Sequence, residues 1–150
     1  MLKNKKMIKY KINVEVKSDL PDFRLFKVFI WGENHNIDSD GDSFNPASRS
    51  WTDLYMSSRE IADESFSVSR LEDTPSIYEV SSSNILIANR VGYFLAKETS
   101  HCIFIDNLKY DYSFLQNKLG NDFNLDEAIK RSNLSVWRNS SLENPYPNLQ

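Results

Sequence analysis

The chain has 150 residues, of which 40 % are apolar, 13 % aromatic and 26 % charged, with a net charge of −3. That length fits one domain spanning residues 1 to 150, and that much apolar surface can offset the ordering entropy of folding, which excludes bulk disorder. No uninterrupted apolar run exceeds four residues, far short of the roughly 20 that a membrane-spanning helix needs, and the opening lysines are followed by alternation, not by the apolar core of an ordinary secretory signal, so neither a membrane partner nor export is expected.

Residues 8 to 16 alternate strictly, with Ile8, Tyr10, Ile12, Val14 and Val16 on one side and Lys9, Lys11, Asn13, Glu15 and Lys17 on the other. Period two with β-branched residues predicts a half-buried strand. Residues 18 to 23, with Asp19, Pro21 and Asp22, read as a turn. A second strand is expected from residue 24 to about 32, where Val28, Phe29, Ile30 and Trp31 are apolar on both faces. Residues 33 to 50 are rich in Asp, Asn, Ser, Gly and Pro and read as a long loop, a kind that is often functional. Three short strands follow, over residues 51 to 58, 65 to 71 and 76 to 81, and their short links predict an antiparallel meander.

The period then changes. Ile87, Ala88, Val91, Phe94 and Leu95 recur at helical spacing, which predicts the main helix over about residues 84 to 98 with Ser83 as N-cap. Cys102–Ile105 reads as a last strand, residues 111 to 119 as a helix closed by Gly120, and Asn124 with Glu127 as the start of a short helix ending near residue 132. Residues 1 to 6 and the tail 139 to 150, with Pro145 and Pro147, are expected to fray. The fold class that results is α+β: an antiparallel sheet of five or six strands, one main helix on one face and two short C-terminal helices.

Charge is distributed unevenly. Residues 1 to 17 carry six Lys and one Glu, a net +5, while residues 33 to 79 carry eleven acids and three Arg, a net −8. Such an acidic stretch is unsuited to phosphate backbones, so no nucleic-acid partner is expected and a basic protein partner fits better. Trp51 and Tyr55 alternate with Asp53 in a strand candidate, placing a carboxylate between two aromatic anchors, an arrangement that suits a protein interface. Charge and exposure together nominate Glu33, Asp38, Asp40, Asp42, Trp51, Asp53, Tyr55, Glu72 and Asp73 as partner-binding residues, against the simpler reading of the acids as a solubilising face.

No catalytic set is expected. The four glycines, Gly32, Gly41, Gly92 and Gly120, form no nucleotide-binding spacing, so no cofactor is predicted. Asn36, Asp38, Asp40 and Gly41 match the opening of an EF-hand loop, but its twelfth position is Ala47 in place of a bidentate Glu, so no metal site is expected. His101 and Cys102 are adjacent and in a strand would face opposite ways, which argues against a shared zinc. A single cysteine cannot close an internal disulfide, and it agrees with a reducing cytoplasm.

Residues 51 to 106 carry a pattern: Trp51-Thr52-Asp53-Leu54-Tyr55 with Arg59, then Pro75, then Val80-Ser81-Ser82-Ser83, then Ala88-Asn89-Arg90 and Tyr93-Phe94-Leu95-Ala96. This resembles the small immunity proteins of bacterial polymorphic and contact-dependent growth inhibition toxin systems. The resemblance implies a non-catalytic cytoplasmic protein that binds and neutralises one cognate toxin domain, often a nuclease. The shared positions look like fold determinants and carry over no binding residues. Two other classes stay open: a small enzyme or ligand-binding domain with a pocket between sheet and helix, and a self-associating subunit.

Overall fold

The computed structural model describes residues 9 to 149. The fold is α+β, built on a seven-stranded antiparallel sheet. Strands β1 (Tyr10–Glu15), β2 (Ile37–Gly41), β3 (Asp53–Ser58), β4 (Ser65–Arg70), β5 (Ile77–Ser82), β6 (Cys102–Ile105) and β7 (Leu108–Asp111) lie in the order β2-β3-β4-β5-β1-β6-β7. Helix α1 (Arg24–Ile30) follows β1, α2 (Ile85–Glu98) follows β5, and α3 (Leu125–Asn133) follows a 3-10 turn over Tyr112–Lys118. Among the described residues no helix is long and apolar enough to cross a membrane.

The expected alternation in β1 is present: Ile12 and Val14 are buried, while Lys11 and Lys17 are exposed. Register aligns the apolar residues of successive strands, Met56 with Phe66, Val68 with Val80, Tyr78 with Val14 and Val14 with Ile103, so all of them share one face. Helix α2 packs on that face through the predicted Ile87, Val91 and Leu95, all fully buried. Gly92 lets it approach closely, since an added Cβ would meet Ile12 at 3.1 Å. Its N-cap is Asn84, whose side chain accepts from the amides of Leu86 and Ile87, and not the expected Ser83.

Four expectations are corrected. Residues 24 to 30 form helix α1 and not a second strand: a short run apolar on both sides fits a buried helix as well as a central strand. The Asp22 carboxylate takes the Arg24 amide at its start, and Gly32, at φ +107°, accepts the left-handed turn that ends it. Part of the expected loop 33 to 50 is strand β2, because pairing with β3 outweighs the poor strand propensity of Ile-Asp-Ser-Asp-Gly. The sheet therefore has seven strands, not five or six, once β7 is added through the Asp106-Asn107 turn, where both residues have positive φ and close a two-residue hairpin. The expected helix over residues 111 to 119 is a 3-10 turn, and the one starting at Asn124 is α3, with Asn124 accepting from the Glu127 amide at 3.1 Å.

The two layers meet in an aromatic cluster. Phe94 of α2 stacks on Phe29 (centroids 4.7 Å) and meets Phe26 edge-on (5.2 Å), and Phe26 in turn reaches Phe66 of β4 at 5.8 Å. Arginines then fasten the C-terminal third to this frame. Arg131 donates to the carbonyls of Val28 and Phe29 at the end of α1, both at 2.6 Å, Arg90 to Leu119 at 2.8 Å, and Arg138 pairs with Glu98 at 2.6 Å. From residue 139 to 149, where fraying is expected from composition, Ser140 is buried and donates to Asp22 while its carbonyl accepts from Arg49. The expected fraying of residues 1 to 6 lies outside the described residues.

Two stability predictions follow from this packing. Phe94→Ala leaves a cavity where both helices and the sheet converge and should cost about 3–5 kcal/mol in urea unfolding; a loss under about 1 kcal/mol contradicts the assigned core. Burial pushes the Glu98 carboxyl upward, but the Arg138 guanidinium and Lys97 outweigh it and hold the group below the ordinary range. Its contribution is therefore complete at neutral pH and lost as pH falls through the depressed value. Glu98→Gln should destabilise at neutral pH and converge with the unaltered protein in acid, as read from melting temperatures across pH.

Candidate functional site

All the helices lie on one face of the sheet, so the other is uncovered. Register assigns its occupants: Asp38 and Asp40 from β2, Asp53, Tyr55 and Ser57 from β3, Ser65, Ser67 and Ser69 from β4, Glu79 and Ser81 from β5, and, farther from the acidic end, Lys11 and Asn13 from β1. Asp40 pairs directly with Tyr55, and Asp53 lies one pleat along on the same face. Tyr55 is 45 % exposed on this face, whereas its strand neighbours Leu54 and Met56 face the core. A phenol ring thus stands between two carboxylates on an open polar surface.

The expected residues separate into groups. Asp38, Asp40, Asp53 and Tyr55 come together on the outer face. Asp38 is held by Arg59 at 2.7 Å with both side chains largely exposed, Asp40 accepts from the Gly41 amide, and Asp53 accepts from the Ser69 hydroxyl at 2.9 Å. Glu72 joins them at the rim, where it shares a shallow hollow of about 670 Å³ with Asp53, Ser69 and Arg70; Asp73 follows it in the same exposed β4–β5 turn. A second hollow, about 230 Å³, opens beside Asp40 and Asp53 at the end of the β2–β3 pair.

The remaining three are placed otherwise. Trp51 is 2 % exposed and donates from Nε1 to the Pro21 carbonyl while packing against Phe26 and Tyr78, so it is a core residue and not a surface anchor. It precedes β3 instead of lying in it, so the alternation with Asp53 and Tyr55 does not extend to it. Glu33 lies after α1 and accepts from Trp137 Nε1 at 3.2 Å, away from the open face. Asp42 is exposed but occupied: one carboxylate oxygen accepts the amides of Thr52 and Asp53, and the other takes the Thr52 hydroxyl. It fastens the long β2–β3 connection.

Serine alternation in Ser65-Phe66-Ser67-Val68-Ser69 is the feature charge reasoning passes over; it lays a strip of hydroxyls between the acidic edge and Glu79. Small hydroxyls leave the surface flat and polar, so that Tyr55 is the one large ring at its acidic end. What this arrangement can do is attract cationic groups and bury one aromatic contact.

For metals, Asp38 and Asp40 project side by side from an extended strand while Asp42 turns back to Thr52, so the residues do not wrap a point as an EF-hand loop does. Among the described residues no three His, Cys, Asp or Glu side chains are grouped to hold a metal ion. Of the histidines, His35 stacks on Trp31 and meets Ser58 Oγ at 2.7 Å, and His101 packs beside Tyr112. Cys102 is buried, and burial together with neighbouring Glu15 pushes its thiol up, away from the thiolate form.

Burial pushes the Asp42 carboxyl upward, but its hydrogen bonds from Thr52 and Asp53 outweigh this and hold it below the ordinary carboxylate range. Asp42→Ala should therefore cost about 1 kcal/mol at neutral pH, with the gap closing as the pH drops below about 4. Thermal melts at several pH values check this, and a gap that does not change with pH contradicts the role. Compared with protein-family models, curated proteins and solved structures, the chain matches none.

Proposed function

We propose that this domain is a non-catalytic binding protein that neutralises a basic toxin domain by occlusion, with the uncovered sheet face as its docking surface. The observation that carries the reading is Tyr55, 45 % exposed and flanked by Asp40 and Asp53 on a face that no helix covers. Exposed carboxylates raise the association rate of a basic partner by steering, and an aromatic side chain buried on contact slows dissociation. The resemblance of residues 51 to 106 to immunity proteins is in keeping with this, and a nuclease domain, whose own substrate is a polyanion, is the kind of toxin such a surface suits. A cytoplasmic setting belongs to the same proposal.

A small-ligand reading has one observation in its favour. A cleft of about 270 Å³ opens between the sheet, α1 and the C-terminal tail, lined mainly by Phe23, Lys27, Ile37, Trp137 and Tyr146. That volume lies near the lower end for small-molecule sites.

The experiment is stopped-flow binding to the toxin domain encoded by the neighbouring gene, at two ionic strengths. Joint reversal of Asp38, Asp40 and Asp53 to Lys, leaving Asp42 in place, should slow association about tenfold or more and flatten its salt dependence. Tyr55→Ala should leave association nearly unchanged and speed dissociation by at least about tenfold. An unaltered association rate and salt slope in the triple variant reduce the acids to a solubilising face. If no neighbouring toxin binds, the immunity reading fails and the cleft takes precedence.

A further inference from the structure

The cleft of about 270 Å³ between the sheet, α1 and the C-terminal tail has a definite chemical character. Ile37 and Ser39 of β2 line it on the sheet side, Phe23, Arg24 and Lys27 on the helix side, and Trp137 and Tyr146 on the tail side. No Asp or Glu lines it, and the two charged residues that do are both cations. Arg24 spends Nε and Nη2 on Asp22, and its guanidinium lies 3.9 Å from the centre of the Trp137 ring. Its Nη1, by contrast, is buried and has no hydrogen-bond acceptor among the described residues. Nor does Lys27 have a carboxylate within ion-pair distance among them. Buried donors without acceptors are uncommon, and one in the wall of a cleft calls for an acceptor from outside the chain.

We propose that this cleft binds a small aromatic carboxylate, its ring against Phe23 and Ile37 and its carboxylate on Lys27 and Arg24 Nη1. The inference rests on the small-ligand reading of the cleft and is independent of the toxin reading. Two cationic donors with no acid beside them select an anion over a cation, and a carboxylate accepts from both in charge-assisted hydrogen bonds. A neutral apolar ligand would leave Nη1 buried and unpaired. A nucleotide is too large for a cleft of this volume and carries more charge than Lys27 and one guanidinium nitrogen can meet. With the tail in place Nη1 is shielded from water; the Tyr146 ring, 46 % exposed and 5.4 Å from the guanidinium carbon, is the part of the cover that swings aside to admit the carboxylate.

The test is ligand-observed NMR titration of the intact protein with phenylacetate and 3-phenylpropionate, each beside its amide and its amine analogue. At least one of the acids should bind with a Kd of about 1 mM or tighter, as expected for so small a ligand. Its amide should bind at least about tenfold more weakly and its amine not at all. Lys27→Met keeps the methylene stem and removes the charge, so the acid should weaken to the level of the amide while the amide is unaffected. Ser39→Phe fills the cleft from an exposed position of β2 and should abolish binding of both. Neither residue belongs to the buried core, so circular dichroism and melting temperature should be unchanged. Equal binding of acid and amide, preference for the amine, no binding of either acid at about 10 mM, or unaltered acid binding in either variant overturns the proposal. Any of these results leaves the toxin reading standing, and failure of the neighbouring toxin to bind leaves the acid-over-amide preference unchanged.

Discussion

One-sided cover of the sheet is the constraint from which the rest of this molecule follows. Each of the central strands alternates, and register brings every apolar set to the same face, so the helices have only that face on which to bury their own stripes. Phe94 is the point where this is enforced, touching Phe26 and Phe29 of α1 while Phe26 reaches Phe66 of the sheet. From β2 to β5 the remaining face is left mainly to serines, carboxylates and Tyr55, with Lys11 and Asn13 of β1 beyond them. An open polar face is stable against water alone, as antiparallel sheets commonly are, yet it is also a broad, rigid surface on which a partner can settle. The β2 edge adds its own constraint: aspartates at positions 38 and 40 discourage pairing with a stray strand.

The C-terminal third is attached by a different means. Apolar contacts there are fewer, and guanidinium groups carry the attachment by donating to backbone carbonyls at helix ends and turns: Arg131 to Phe29 and to Val28, whose carbonyl also accepts the Gly32 amide, and Arg90 to Leu119. Asp22 gathers a further set. Fully buried, it accepts from Arg24 and from Ser140, while Arg24 lies 3.9 Å from the Trp137 ring centre. A buried carboxylate is tolerable only when satisfied in this way. The start of α1, its capping and the path of the tail are thus one network.

Legibility in the sequence follows the physics of each segment. β1, β3, β4, β5 and α2 are readable because a long or regular period leaves one solution, and Asn124 marks α3 by its capping chemistry. Helix α1 is not, since seven residues apolar on nearly all sides carry no decisive period; the signals that distinguish it are Asp22 before it and Gly32 after it. β2 has no propensity of its own and exists through its partner. At the candidate site, local alternation places Asp53 and Tyr55 on one face, but only tertiary pairing brings Asp40 beside Tyr55, and only packing reveals that Trp51 is core and that Asp42 is spent on its loop. Charge counting cannot distinguish an acid that waits for a partner from one that already has its hydrogen bonds.

Carboxylates gather at the β2–β3 end of the uncovered face, and Lys11 of β1 lies further along the same face, beside Glu79. The central claim is that the uncovered face around Tyr55 is where a partner is held. Hydroxyl-radical footprinting of the protein alone and with the neighbouring toxin domain tests it most directly, because it reads side-chain access ring by ring. In the free protein Tyr55 should oxidise readily and Trp51 hardly at all, and with the toxin bound Tyr55 should become protected while Phe114, at the other end of the sheet, stays reactive. Tyr55 oxidised equally in the bound and free states, with protection confined to Phe114 and its surroundings, would contradict the account.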